Sequence, residues 1–291
     1  MRTLIVNADD FGFTPGINQA VMALHRAGAL TSATLMAAAP SLQQAVELAR
    51  LHPTLGVGCH VVLVDGTPLS PPETITTLLD AENPEPAFRP TLGRFVRDML
   101  LGRIDPQHIE TEAAAQMQHL QTAGLDITHC DTHKHTHMFP RVLVPVLRAA
   151  QQCGIRRIRN PFEPAWSVKA TPQAGGLRRM EVRILGALRQ QFLAKVRAHA
   201  MVTTAGCLGV LATGTLDAAT LNAILDKMPE GTSEDIWELV CHPAYMDEEL
   251  RAARTRLLNS RSVEVEALLA TLALNSGRHT DISKIHYGDL T

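Results

Sequence analysis

Short apolar runs bounded by polar residues alternate along the chain with longer stretches whose apolar positions fall three and four apart, the pattern of buried strands followed by amphipathic helices. "RTLIVN" (residues 2–7) reads as the first strand. From Gly16 to Ala27, Ile17, Val21 and Leu24 share one helical face, and Gly28 stops the run. The unit then recurs. "TSATLMA" (31–37) predicts a second strand, and "LQQAVELARL" a helix carrying Leu42, Val46 and Ala49 inward. "GVGCHVVL" (56–63) predicts a third strand. The helix with the clearest limits starts at Asp105 as cap and Pro106 in the first turn, and ends at Gly124. "DITHCDTHKHTH" begins as strand four, and Pro140 opens a helix that stops at Gly154. "RRIRN" (156–160), "GCLGVLA" (206–212) and "DIWELVCH" (235–242) complete seven predicted strands.

Such alternation predicts an α/β fold of parallel strands with helical crossovers, in which ligands bind beyond the carboxyl ends of the strands. With 291 residues and 45% hydrophobic content, one domain over 1–291 is the expectation. Two stretches interrupt the rhythm as insertions, one near 64–104 rich in Pro and polar residues, the other near 161–205, long and basic. There is no internal repeat and no low-complexity segment.

A net charge of −2 provides no field for holding nucleic acid by its phosphates. Five cysteines without a C-x-x-C pair suggest neither a disulfide framework nor a zinc ribbon, so a reducing, cytoplasmic setting is expected. No signal-peptide pattern and no membrane-spanning run is seen. In 178–197, Leu185, Leu188, Phe192 and Val196 line one helical stripe beside six basic residues, the pattern of a core or homodimer helix or of a helix lying on an anionic membrane.

The strand-end rule gathers the candidate chemistry. Asp9 and Asp10 end strand one, His60 lies in strand three, Asp131 and His133 end strand four, and His242 ends strand seven. Imidazoles and carboxylates are the donors of a hydrolytic divalent-metal site. If "DTHKHTH" stayed extended, Asp131, His133, His135 and His137 would share a face, with room for about two of them around one ion. Each residue also has an ordinary reading: His60 as a hydrogen-bonded core residue, Asp10 as a helix cap, His242 as a turn residue, the His run as a solvated loop. Adjacent Asp9 and Asp10 can both serve one site if the chain bends, as Gly12 permits, and one carboxylate bound to a cation would differ in basicity from its free neighbour.

At these residues the sequence resembles the YdjC-like carbohydrate deacetylases, which include the chitooligosaccharide deacetylases. "LIVNADDFG", "VGCHVVLVDGTPL", "THCDTHKHTHMFP" and "ELVCHPAYMD" look like the family's four signature blocks, in family order, over residues 4–247. The resemblance implies a distorted, incomplete (β/α) barrel of the glycoside hydrolase/deacetylase type, a divalent metal ion, and removal of acetyl from an N-acetylated amino sugar. It implies Asp10, His60 and His133 as metal ligands, Asp9 as base and His242 as general acid. Mg²⁺ and Zn²⁺ head the candidate ions, with Mn²⁺ and Co²⁺ compatible. "VLVDGTPLSPPE" and "NPFEP" look most similar to the branch associated with hopanoid biosynthesis, which implies an N-acetylglucosaminyl lipid as substrate; the basic stripe at 178–197 is compatible with a peripheral membrane contact in that case. Lys134 departs from the pattern, standing where chitooligosaccharide deacetylases can carry histidine, which bears on sugar recognition. The rival expectations are a metal-dependent phosphoesterase or other amidohydrolase on a similar barrel, and a non-catalytic sugar-lipid binding protein.

Overall fold

The computed structural model describes residues 2–172, 175–231 and 235–291. Its first half follows the alternation closely: β1 (Arg2–Phe11), α1 (Pro15–Arg26), β2 (Ser32–Leu35), α2 (Leu42–Leu51) and β3 (Gly56–Val61). Thr14 caps α1 through its hydroxyl, which leaves Asp10 free of the capping role. After β3 come α3 (Leu92–Leu100), α4 (Pro106–Thr122), β4 (Ile127–Thr132) and α5 (Pro140–Gln152). The α4 signals act as expected: the Asp105 carboxylate accepts the Gln107 amide at 2.9 Å, and Gly124 takes a φ of 78°. The basic insertion folds into α6 (Ala165–Ala170), α7 (Gly176–Leu185) and α8 (Arg189–Ala198). The chain continues through β5 (Gly206–Leu208), α9 (Ala218–Asp226), β6 (Ile236–Cys241), α10 (Glu248–Ala252), α11 (Asn259–Leu272) and β7 (Ile282–Lys284).

All strand pairings are parallel, in the order β4-β3-β2-β1-β6-β5, with β7 also on β1. β1 is central: it pairs with β6 over Thr3–Ala8, with β2 from Asn7 to Phe11, and with β7 over Arg2–Leu4. Its residues beyond Arg2 are all buried, as a strand covered on both faces requires. One apolar cluster extends from Leu4 to Ile282, joining the sheet to the helices.

The expected strand at 156–160 does not form a regular ladder. Only single bridges appear, Cys130 with Ile158 and Arg157 with Val202. The reason is local: the Arg159 side chain enters the interior, Asn160 bonds the Thr204 carbonyl through its side chain, and Pro161 has no amide to donate. This irregular segment still carries the β4 edge toward β5, because Phe162 accepts the Cys207 amide at 3.1 Å. The result is a parallel sheet curled into an incomplete barrel. The expected strand at 206–212 ends early, at Leu208, where Gly209 turns the chain at a φ of 86°. β7 carries no pattern long enough to read in advance.

Candidate active site

The carboxyl ends of β1, β3, β4 and β6 meet at one rim. In a regular strand Asp9 and Asp10 would point to opposite faces. They do not, because the register between β1 and β2 slips between Ala8 and Phe11 and Asp10 adopts a left-handed φ of 64°. Aspartate tolerates that conformation better than most residues. The bend therefore begins at Asp10 itself, ahead of Gly12.

Asp10 Oδ1 lies 3.7 Å from His60 Nε2 and 3.6 Å from His133 Nδ1, and the two imidazole nitrogens are 3.3 Å apart. Donors bonded to one small divalent ion at about 2.0–2.2 Å stand about 3.0–3.6 Å from one another, so this triangle fits such an ion. In Asp10 and His60 the second polar atom is already engaged in a way that aims the donor. Asp10 Oδ2 accepts from Arg261 at 2.6 Å, and His60 Nδ1 pairs with Asp131 Oδ1 at 2.6 Å. A carboxylate on the far nitrogen fixes the tautomer that presents Nε2 inward. Asp9, His60 and Asp131 form a second compact group. It is the poorer cation site, since Asp131 and Asp9 both bind Arg159 and His60 Nδ1 is spent on Asp131.

The histidine run departs from the extended form. Lys134 and His135 have φ values of 56° and 53°, and residues 133–138 coil into a short helical turn. Only His133 joins the triangle. His137 is buried against Thr132 Oγ1 at 2.7 Å and the Arg159 carbonyl at 3.2 Å, and His135 has a buried Nδ1 without a hydrogen-bond partner. Lys134 pairs with Asp65 Oδ2 at 2.7 Å, tying this turn to the loop that follows β3.

Asp9 sits beside the triangle under the control of Arg159. The fully buried guanidinium reaches Asp9 Oδ2 at 2.9 Å and Oδ1 at 2.7 Å, binds Asp131, and contacts Glu238 Oε1 at 2.8 Å. Burial alone would raise the Asp9 pKa, but Arg159 and the nearby His60 outweigh it and hold Asp9 well below the usual carboxylate range. Asp10 is likewise held low, with Arg261 and His133 opposing its burial. Burial pulls His60 down, yet Asp131 and Asp9 more than compensate, carrying it up to about 9; His133, with less help, falls to about 4.

His242 follows β6 and places Nε2 3.8 Å from Asp9 Oδ2. Its imidazole is not at its ordinary value: burial lowers it, with Asp9 and Asp10 pulling partly back. α11 fixes the base of this residue, since Glu264 Oε2 accepts the His242 amide at 2.6 Å. Burial raises Glu264 to about 7. Sequence reasoning missed Arg159, Glu238, Arg261 and Glu264. Its one available signal was a charged residue inside a stretch otherwise patterned for the interior.

The model of the YdjC-like protein family matches residues 3–274. The chain belongs to that family. A Brevibacillus brevis carbohydrate deacetylase is 42% identical over 161 residues, covering 55% of this chain and 59% of the relative. A chitooligosaccharide deacetylase of Salmonella paratyphi C is 29% identical across 97% of this chain and 99% of its own length. Among solved structures, an Enterococcus faecalis V583 protein described provisionally as a cellobiose-phosphate cleavage protein superposes with a TM-score of 0.73 at 23% identity, covering 98% of this chain and 97% of that one. That likeness shows that the two chains share the curled-sheet fold.

Proposed function

We propose that this YdjC-like protein is a metal-dependent hydrolase that removes the acetyl group from an N-acetylated amino sugar, a chitooligosaccharide or an N-acetylglucosaminyl lipid such as a hopanoid conjugate. The observation that carries the reading is the triangle of Asp10, His60 and His133 with a second, ionised carboxylate, Asp9, beside it. The names of its relatives support the substrate class. A divalent ion held by Asp10, His60 and His133 supplies Lewis-acid polarisation of the amide carbonyl and lowers the pKa of attacking water. Two imidazoles with one carboxylate suit Zn²⁺, Co²⁺ or Mn²⁺ better than Mg²⁺, which favours oxygen donors.

The protein's own residues manage the proton. Asp9, gripped by the Arg159 fork, stays ionised and aimed to accept a proton from water. The same grip makes Asp9 a weak base that gives the proton up readily. His242, 3.8 Å away, is placed to receive it and deliver it to the leaving nitrogen. Acetate and a free amino sugar result, with the proton balance closed.

The test is acetate release, with phosphate release as the rival outcome, from metal-loaded protein offered chitin-derived and lipid-linked N-acetylglucosamine conjugates and, separately, phosphoesters. Asp9→Asn should keep its metal and lose turnover by about 10²-fold or more. His133→Ala should lose the metal. Undiminished turnover in Asp9→Asn removes Asp9 from the mechanism, and phosphate release without acetate overturns the proposal.

A further inference from the structure

The basic insertion carries two apolar stripes, and the structure separates them. The stripe legible in the sequence is internal: Phe192 and Val196 are fully buried, and Leu185 and Leu188 pack on the core. Leu177, Met180 and Ile184 form a different stripe on the outer face of α7, at positions i, i+3 and i+7. They are 75%, 53% and 64% exposed.

The helix is anchored at the carboxyl end of the sheet. Arg178 donates to the carbonyls of Val210, at 3.1 Å, and Leu211, at 3.3 Å, which leave the carboxyl end of β5. Across Gly176–Ala198, six cations (Arg178, Arg179, Arg183, Arg189, Lys195 and Arg197) face a single acid, Glu181, in a chain whose net charge is −2. Arg183 and Arg197 are exposed.

We infer that α7 docks this protein on an anionic lipid bilayer, with Leu177, Met180 and Ile184 entering the interface and the exposed Arg183 and Arg197 meeting the headgroups, while Arg178, Arg179 and Arg189 hold the insertion to its own backbone carbonyls. The charge distribution favours a bilayer over a second copy of the chain. A two-fold contact through this face would set the same cations against each other, and three side chains fall far short of the roughly 800 Å² per partner of a stable protein interface. Resting on the proposed function, docking through a helix anchored at the carboxyl end of the sheet brings the protein to a surface where an N-acetylated sugar on a lipid anchor is presented.

The experiment is co-sedimentation of the full chain with phosphatidylglycerol-containing vesicles and with pure phosphatidylcholine vesicles, read separately from any turnover. The parent should sediment with the anionic vesicles only, and less so at high salt. The combined variant Leu177→Ser, Met180→Ser, Ile184→Ser should lose at least about tenfold in partitioning while keeping its melting temperature and its acetate release from a soluble substrate. A second variant, Arg183→Glu with Arg197→Glu, should weaken binding without touching the apolar stripe. A parent that ignores anionic vesicles, a serine variant that binds as the parent does, or self-association abolished by the serine substitutions each overturns the inference. Loss of deacetylation with vesicle binding intact would instead fault the proposed function and leave docking standing.

Discussion

Arg159 shows how much of the site depends on a side chain that touches none of the three metal-donor atoms. It is fully buried and joins Asp9, Asp131 and Glu238, and Glu238 in turn accepts from Tyr287 Oη at 2.5 Å. Arg159→Met leaves three buried carboxylates without their cation, and unfolding by denaturant should register a loss of about 3–5 kcal/mol. Arg159→Lys should recover little, because an ammonium cannot reproduce the planar fork. Glu264 makes a prediction of the opposite sign. Its pKa rises from 4.5 to about 7 on folding, so its protonated form favours the fold, fully below about pH 4.5, and the contribution is lost as pH rises through 7. Glu264→Gln should therefore flatten the decline of stability across that window, a slope of up to about 1.4 kcal/mol per pH unit. Asp9, Asp10, His60, His133 and His242 were legible because metal and proton chemistry need those residue types and parallel strands deliver their ends to one rim. Arg159 and Glu238 were not, since neither a third arginine in a basic, irregular segment nor a lone carboxylate within β6 gives any local sign of what it will meet.

Among the elements, the first strand was legible as a strand but not in its extent. The slip between Ala8 and Phe11 arises from pairing with β2, a tertiary event, and it carries β1 on through both carboxylates. α11 was overlooked for a related reason. Its inward face holds Arg261 and Glu264 among Val265, Leu268 and Leu272, and those charges interrupt the apolar stripe that announces a helix. The same charges make α11 an arm of the site, one gripping Asp10 and the other the His242 amide. α1 is fixed against the segment that follows β6. A Cβ on Gly16 would collide with the Tyr245 carbonyl oxygen and the Asp247 carboxylate that meets the Gly16 amide. Gly16→Ala should lower the unfolding midpoint by about 1–3 kcal/mol equivalent, measured by denaturant titration, since the nearest obstacle is backbone.

For the molecule as a whole, the five cysteines are unpaired and no described helix is long and apolar enough to cross a membrane. Stability therefore draws on packing, on the buried charge network, and on whatever binds the folded rim. A divalent ion at 100 times its Kd should contribute about 2.7 kcal/mol. A scanning melt should show a rise of a few degrees, absent in His133→Ala. The alternation of elements was enough to read the parallel architecture from the chain, while the closing segment at 156–162 was not, because side-chain demands at Arg159 and Asn160 replaced a ladder. The central position of β1 has a temporal consequence. Within this chain β1 precedes β6, its partner over Thr3–Ala8, so during synthesis that flank of β1 stays unpaired until Cys241 has emerged. Until then the open edge is a template for pairing with another chain, so covering it is a task that falls to the growing polypeptide's surroundings rather than to its own fold.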